Sequence, residues 1–176
     1  MDTSLPESTH DFGRVATLGA EAFGKPGERT FRLHIGAPTG SASLWVEKEQ
    51  LQALALAVRQ ILSQRRASGR PTPEEQPPAP VDYAAQPALD FKVGHLSLGY
   101  DESEETFTLF AHESEADPEG PPTFTCEAIA AQARALSDEI ERIVAAGRPR
   151  CYLCGQPIET GGHVCPRSNG HAQAER

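Results

Sequence analysis

From Gly13 to Val46 apolar and polar positions alternate in three short runs, Arg14 to Leu18, Thr30 to Ile35 and Ser43 to Val46. In the middle run Phe31, Leu33 and Ile35 interleave with Arg32 and His34, the period-2 pattern of a half-buried strand. Gly24-Lys25-Pro26-Gly27 separates the first two runs and suits a type II turn, because Pro26 presets φ at the first central position and Gly27 supplies positive φ at the second. Past Val46 the period lengthens. Leu51, Leu54, Ala55, Val58, Ile61 and Leu62 recur at helical spacing, with Gln52, Arg59 and Gln60 left for solvent. The pattern predicts three strands followed by a helix.

Residues 67–89 then lose all periodicity and fill with proline, which reads as a stiff, exposed linker. Beyond them the first pattern returns. Lys92 to Leu96 echoes Arg14 to Leu18, Thr106 to Leu109 echoes Thr30 to Leu33, and Pro122 to Cys126 stands where a third strand belongs. A second helix follows, with Ile129, Ala133, Leu136, Ile140, Ile143 and Val144 on one face and Gln132 to Leu136 matching Gln50 to Leu54. The offsets between matched residues are 78, 76 and 82, so the copies differ by small insertions at turns, among them the acidic loop Glu113 to Gly120. The expected fold is α+β: two tandem β-β-β-α repeats, 12–66 and 90–147, packed as one pseudo-symmetric body. One such half, about 55 residues long, is marginal alone, so the halves should pair through their sheets or helices. Residues 1–11 are expected to be a flexible N-terminus, and 148–171 and 172–176 a small metal knuckle and a tail.

Composition narrows the chemistry. With 176 residues, 38% hydrophobic content and 15 prolines, the chain has room for one moderate core plus appendages. Its 16 Lys and Arg against 25 Asp and Glu give a formal charge of -9, which disfavours a nucleic-acid partner on electrostatic grounds. Met1 to Phe12 is polar and acidic with no apolar run of signal-peptide length, and no segment approaches the roughly 18 apolar residues of a membrane span. These features point to the cytoplasm and to no membrane association. Of four cysteines, three fall within fifteen residues, a distribution that fits metal-binding thiolates in a reducing compartment better than a disulfide framework.

Cys151-Tyr152-Leu153-Cys154-Gly155 places two thiolates two residues apart, so that a tight turn aims both at one ion while a trailing glycine closes it. Gly162-His163-Val164-Cys165-Pro166 supplies a second pair. Three sulfurs and an imidazole, from Cys151, Cys154, Cys165 and His163, make the closed tetrahedral shell of a structural zinc site, with no position left for a reacting water. One intervening residue in the second pair is tighter than the usual two, which leaves His171 as a reserve ligand. Three thiolates with Zn²⁺ carry a local charge balanced by Arg148, Arg150 and Arg167, so these arginines need no polyanionic ligand. Cys126, in a strand, reads as an inert buried thiol.

No catalytic set stands out. His34, His95 and His112 fall in or beside strands of opposite halves and would have to meet across the pseudo-symmetric interface. The Gly24 to Arg29 turn carries Lys25 and Arg29, but it lacks a phosphate-loop pattern and precedes a strand, so a plain hairpin turn is the simpler reading. Arg65, Arg66 and Arg70 sit at a helix C-terminus, where solvated cations complement the dipole.

Gly24 to Phe31 (GKPGERTF), Val46 to Gln50 and above all Gly147-Arg148-Pro149 followed by CYLCGQPIETGGHVCPRSNGH resemble the bacterial family called domain of unknown function 3090, from about Phe12 to His171. The resemblance implies an actinobacterial type of source, no established activity, and genes beside those of a histidine-phosphatase-like and a kinase-like protein. The reading that emerges is a zinc-binding, non-catalytic adaptor with an unidentified protein partner. Two alternatives stand beside it: an enzyme with a pocket between the repeats that uses Lys25, Arg29 or His95, and nucleic-acid binding through Arg148, Arg150, Arg167 and Tyr152 of the knuckle.

Overall fold

Seven strands and two helices form in the order β1 (His10–Arg14), β2 (Thr17–Phe23), β3 (Thr30–Ala37), β4 (Gly40–Val46), α1 (Lys48–Ala67), β5 (Leu89–Asp101), β6 (Thr106–Glu113), β7 (Phe124–Ile129) and α2 (Ala130–Ala145). The computed structural model describes residues 7–70, 86–147, 149–158 and 162–167. Most of the expected linker, Arg148, His171 and the expected 172–176 tail lie outside the described residues. All seven strands join one mixed sheet in the order β1-β7-β6-β5-β4-β3-β2. The first hairpin turns where the sequence places it: Gly27 has φ +97°, and the Glu28 N–H donates to the Lys25 carbonyl at 2.9 Å.

The run read as one strand, Arg14 to Leu18, is divided between two. Residues His10–Arg14 pair parallel with β7, whereas Thr17–Phe23 pair antiparallel with β3. Val15 N–H donates to the Glu127 carbonyl of β7 at 2.9 Å, and the next N–H, of Ala16, to the Gly36 carbonyl of β3 at 2.8 Å. The two ends of the sheet are therefore consecutive in sequence, and the sheet curls until one bent segment carries both edges. Alternation of side chains reports burial and is blind to a change of pairing partner. Hence the expected flexible segment 1–11 contributes His10 and Asp11 to β1. The strand expected at Pro122 to Cys126 begins at Phe124, and the Pro122 carbonyl instead accepts from Thr9 N–H at 3.0 Å.

β5 also changes partner along its length. Leu89 to Lys92 pair parallel with β4, and His95 to Asp101 pair antiparallel with β6, with a bulge between Val93 and His95. The helices satisfy the backbone groups at both bends. Gln132 Nε2 donates to the carbonyls of Val15 (3.0 Å) and Ala16 (3.2 Å), and Gln50 Nε2 donates to Gly94 (3.1 Å). Each glutamine also accepts from the N–H three residues before it, Ile129 at 3.1 Å and Glu47 at 2.8 Å, which starts its helix. Glu139 of α2 accepts from Ala20 N–H at 2.9 Å on the open side of β2, so a sheet edge ends on a carboxylate.

Phe31, Leu33 and Ile35 share one face of the sheet with their register partners Val46, Leu44 and Ala42, and with Phe107, Leu109 and Phe124 further round. Leu51, Leu54, Val58 and Leu62 of α1 and Ala133, Leu136 and Ile140 of α2 complete this single core. On the opposite face Arg32 pairs with Glu21 and lies 5.0 Å from the ring of Phe23 and 5.6 Å from that of Trp45. Arg65 departs from the expected solvated cation. It is buried, pairs with Glu105 and stacks 5.5 Å from the Tyr100 ring, while Arg70 reaches Glu102 at 2.8 Å. Its helix-end position placed it against the β5–β6 turn, which sequence spacing does not reveal. Among the described residues no helix is long and apolar enough to cross a membrane.

Candidate metal centre

Beyond α2 the chain makes a small hairpin of its own. Arg150 bridges Pro157, Ile158 N–H donates to the Pro149 carbonyl at 2.8 Å, and Cys151 N–H to that of Gln156 at 2.8 Å. The hairpin closes through Gly155, whose N–H reaches the Cys151 carbonyl at 2.8 Å and whose φ of +73° is the left-handed conformation that favours glycine. This turn aims Cys151 and Cys154 to one side. A second left-handed glycine, Gly162 at φ +85°, leads His163 and Cys165 back toward them.

The four ligand atoms of Cys151, Cys154, His163 and Cys165 all lie within 4.8 Å of one another and could hold a metal ion. Two edges of the cluster are resolved: Cys151 Sγ to Cys165 Sγ and Cys154 Sγ to His163 Nε2, both 3.7 Å. A tetrahedron with metal–sulfur bonds near 2.3 Å has edges of about 3.8 Å, so the spacing is that of a coordination shell. The surroundings of Cys151 favour its thiolate. N–H groups of Cys154 and Leu153, together with the His163 side chain, pull the Cys151 thiol down to about 6, led by the Cys154 N–H. Burial pushes the Cys154 thiol up, against a lowering bond from the Gln156 backbone.

Arg150 and Arg167 are tied to the hairpin's own backbone, donating to the carbonyls of Gly155 (3.2 Å) and Leu153 (3.4 Å). Cys151 is buried, but the residues between and beside the ligands face outward: Tyr152 is 92% exposed, Val164 96% and Leu153 40%. The sequence singles out the four residues, and the fold shows that three apolar side chains next to them in the chain are exposed.

The other candidates stand apart. His95 and His112 are cross-strand partners with ring centroids 5.8 Å apart; His112 is buried with Nε2 3.1 Å from the Gly120 carbonyl, and His95 is exposed. His34 is buried on β3, level with Ser43 and Asp90, so the three histidines do not converge. Arg29 lines a cleft of about 340 Å³, whereas His95 lines a different groove of about 460 Å³ between α1 and β5. Cys126 is buried, and burial, then the charges of Asp11 and Glu127, push its thiol far above the usual range.

A family model described as "Protein of unknown function (DUF3090)" matches residues 10–165. The chain belongs to that family. The match takes in all four clustered ligands and ends on Cys165, short of His171. No curated protein and no solved structure matches the chain.

Proposed function

We propose that this family member is a non-catalytic binding protein, in which Cys151, Cys154, His163 and Cys165 hold one structural zinc ion and the resulting knuckle meets a protein partner. One observation carries the reading: a donor set suited to a tetrahedral shell is interleaved in the chain with three exposed apolar side chains, Tyr152, Leu153 and Val164. Three sulfurs and an imidazole match the ligand preference of zinc and leave no coordination position for a substrate. Exposed aromatic and aliphatic groups held on a rigid turn are the material of interface anchors. Reduced, metal-ready cysteines are in keeping with the cytoplasm. The separation of Arg29 and His95 into two clefts favours binding over turnover. The formal charge of -9 likewise disfavours nucleic acid.

The test compares wild type, Cys154→Ser and the double variant Tyr152→Ser/Val164→Ser by native mass spectrometry and affinity capture. One zinc per chain is expected in the wild type and the double variant and none in Cys154→Ser, with the partner lost from both variants. Identical partners on all three would reduce the knuckle to a staple for the tail.

We also infer that the body is an internal duplication of a β-β-β-α unit. The sequence offsets of 78, 76 and 82 carry the pair Arg14↔Glu127 onto Lys92↔Trp45, Leu18↔Ile35 onto Leu96↔Ala111, and Phe31↔Val46 onto Phe107↔Ala128. They also carry the bond from Gln50 to Gly94 onto that from Gln132 to Ala16. Agreement of register and of a side-chain bond is harder to reach by chance than agreement of element order.

A further inference from the structure

Three segments distant in sequence meet in the cleft of about 340 Å³ that contains Arg29: the end of the β2–β3 turn, the start of α1 and the metal hairpin. Each brings a cation, namely Arg29, Lys48 and Arg150. Against the two carboxylates on its wall, Glu47 and Glu49, these leave the cleft net positive in a chain of charge -9, which favours an anion. Neither carboxylate pairs directly with one of the three cations among the described residues. Glu47 is engaged by Lys92, 3.0 Å away, and Glu49 makes no ion pair with any of the three among the described residues. Lys48 is half-buried and likewise has no ion-pair partner among the described residues.

We propose that this cleft binds a small oxyanion, a phosphate or carboxylate group on a low-molecular-weight ligand, through Lys48, Arg150 and Arg29. The volume lies at the lower end of small-molecule sites, enough for a group of this size with a short substituent. Arg29 is preorganised: Nη2 donates to the Ile143 carbonyl at 2.8 Å and the guanidinium lies 5.2 Å from the Phe31 ring, leaving the remaining N–H donors for a ligand. Gly147 gives it room, since a Cβ there would come within 3.1 Å of that nitrogen.

The second half of the body serves as an internal control, an argument that rests on the duplication inferred above. The positions equivalent to Arg29 and Lys48 are Glu105 and Ala130. Glu105 contacts the end of α1 through Arg65 much as Arg29 contacts the end of α2, so a residue of either charge can do the structural work there. A strand end and a helix start form there with no lysine, so the scaffold does not require Lys48. Its charge is therefore free to serve a ligand.

The experiment titrates zinc-loaded full-length protein at low ionic strength with inorganic phosphate, glycerol phosphate and succinate, followed by calorimetry and amide chemical shifts. Saturable binding of at least one is expected, and the preferred probe separates a phosphate from a carboxylate ligand. Lys48→Gln and Arg150→Gln should each weaken it about tenfold or more, and Lys25→Gln, on the same turn but outside the cleft, should leave it unchanged. Lys48 makes no contact that the fold needs, so its variant stays informative if an Arg29 variant misfolds. Absence of saturable binding for all three probes, or equal losses from Lys25→Gln and Lys48→Gln, would overturn the proposal. The Tyr152→Ser/Val164→Ser protein leaves the cleft intact, so failure here and failure of the partner reading are separable.

Discussion

Gln132 concentrates more of the fold's polar bookkeeping than any other side chain described above. Its amide starts α2 and satisfies the two carbonyls, of Val15 and Ala16, at which the chain changes strand partner. Removing it leaves buried acceptors without donors, a loss of about 1–3 kcal/mol for each group left fully unpaired. Gln132→Ala should therefore destabilise the protein by about 2–3 kcal/mol, read from the urea midpoint. Gln50→Ala, whose bonds to Glu47 and Gly94 are exposed, should cost under about 1 kcal/mol because water replaces them. A second prediction concerns Cys126. Its folded thiol is held far above the ordinary value of 9.0 by burial, so above that pH the unfolded chain loses this proton while the folded chain keeps it. The contribution is full below pH 9 and falls as pH rises, by up to ~1.4 kcal/mol per unit. Denaturation curves at about pH 8 and about pH 10.5 should show a steeper loss in wild type than in Cys126→Ala. Equal slopes would place the thiol in contact with solvent.

At the scale of elements, the metal hairpin and the body are energetically distinct. Among the described residues none of the hairpin belongs to the core cluster, which ends with Ile140 of α2 and its partly buried neighbours. Among the described residues the hairpin is held by a few backbone bonds, by the bonds of Arg150 and Arg167 to its carbonyls and by the cluster of Cys151, Cys154, His163 and Cys165. Chelation should consequently abolish amide protection in residues 149–158 and 162–167 while the helices and sheet keep their far-UV signature and melt within about 5 °C of the loaded protein. Collapse of the whole fold on chelation would contradict this division. The hairpin was also the most legible element in the sequence, because its ligands are close neighbours and short spacing nearly dictates geometry. The strands were legible in position, through the alternation of Phe31, Leu33 and Ile35 and its echo at Phe107 and Leu109. Their partners were not. Nothing in the spacing of Arg14 to Leu18 says that pairing passes from β7 to β3 between Val15 and Ala16. The cleft of Arg29, Lys48 and Arg150 was hidden for the same reason: Arg29 and Arg150 stand out only in separate contexts, Lys48 not at all, and the three meet only through the tertiary fold.

At the scale of the molecule, the two halves interlock: each sends a bent strand to pair parallel with the last strand of the other, β1 on β7 and β5 on β4. The helices cross at the junction, where Ser137 Oγ donates to the Ala55 carbonyl at 3.2 Å and Arg59 bridges to Ser137 and Asp138. Each half thus leaves a sheet edge and a helix face unfilled when alone, and about 55 residues bury too little apolar surface to compensate. A chain cut between residues 71 and 85 should therefore yield two fragments that are each largely unfolded or self-associated and that recover the native spectrum when mixed in equal amounts. Because β1 belongs to the first fragment yet completes the sheet of the second, deleting residues 1–14 should weaken reassembly by about tenfold or more through lost β1–β7 pairing. The check is fluorescence of Trp45, which lies on β4 with Nε1 2.9 Å from Asp90 of β5, at the seam between the fragments. Independent folding of either fragment, with Trp45 unchanged on mixing, would show that the halves are complete domains and that the single curled sheet is only their contact.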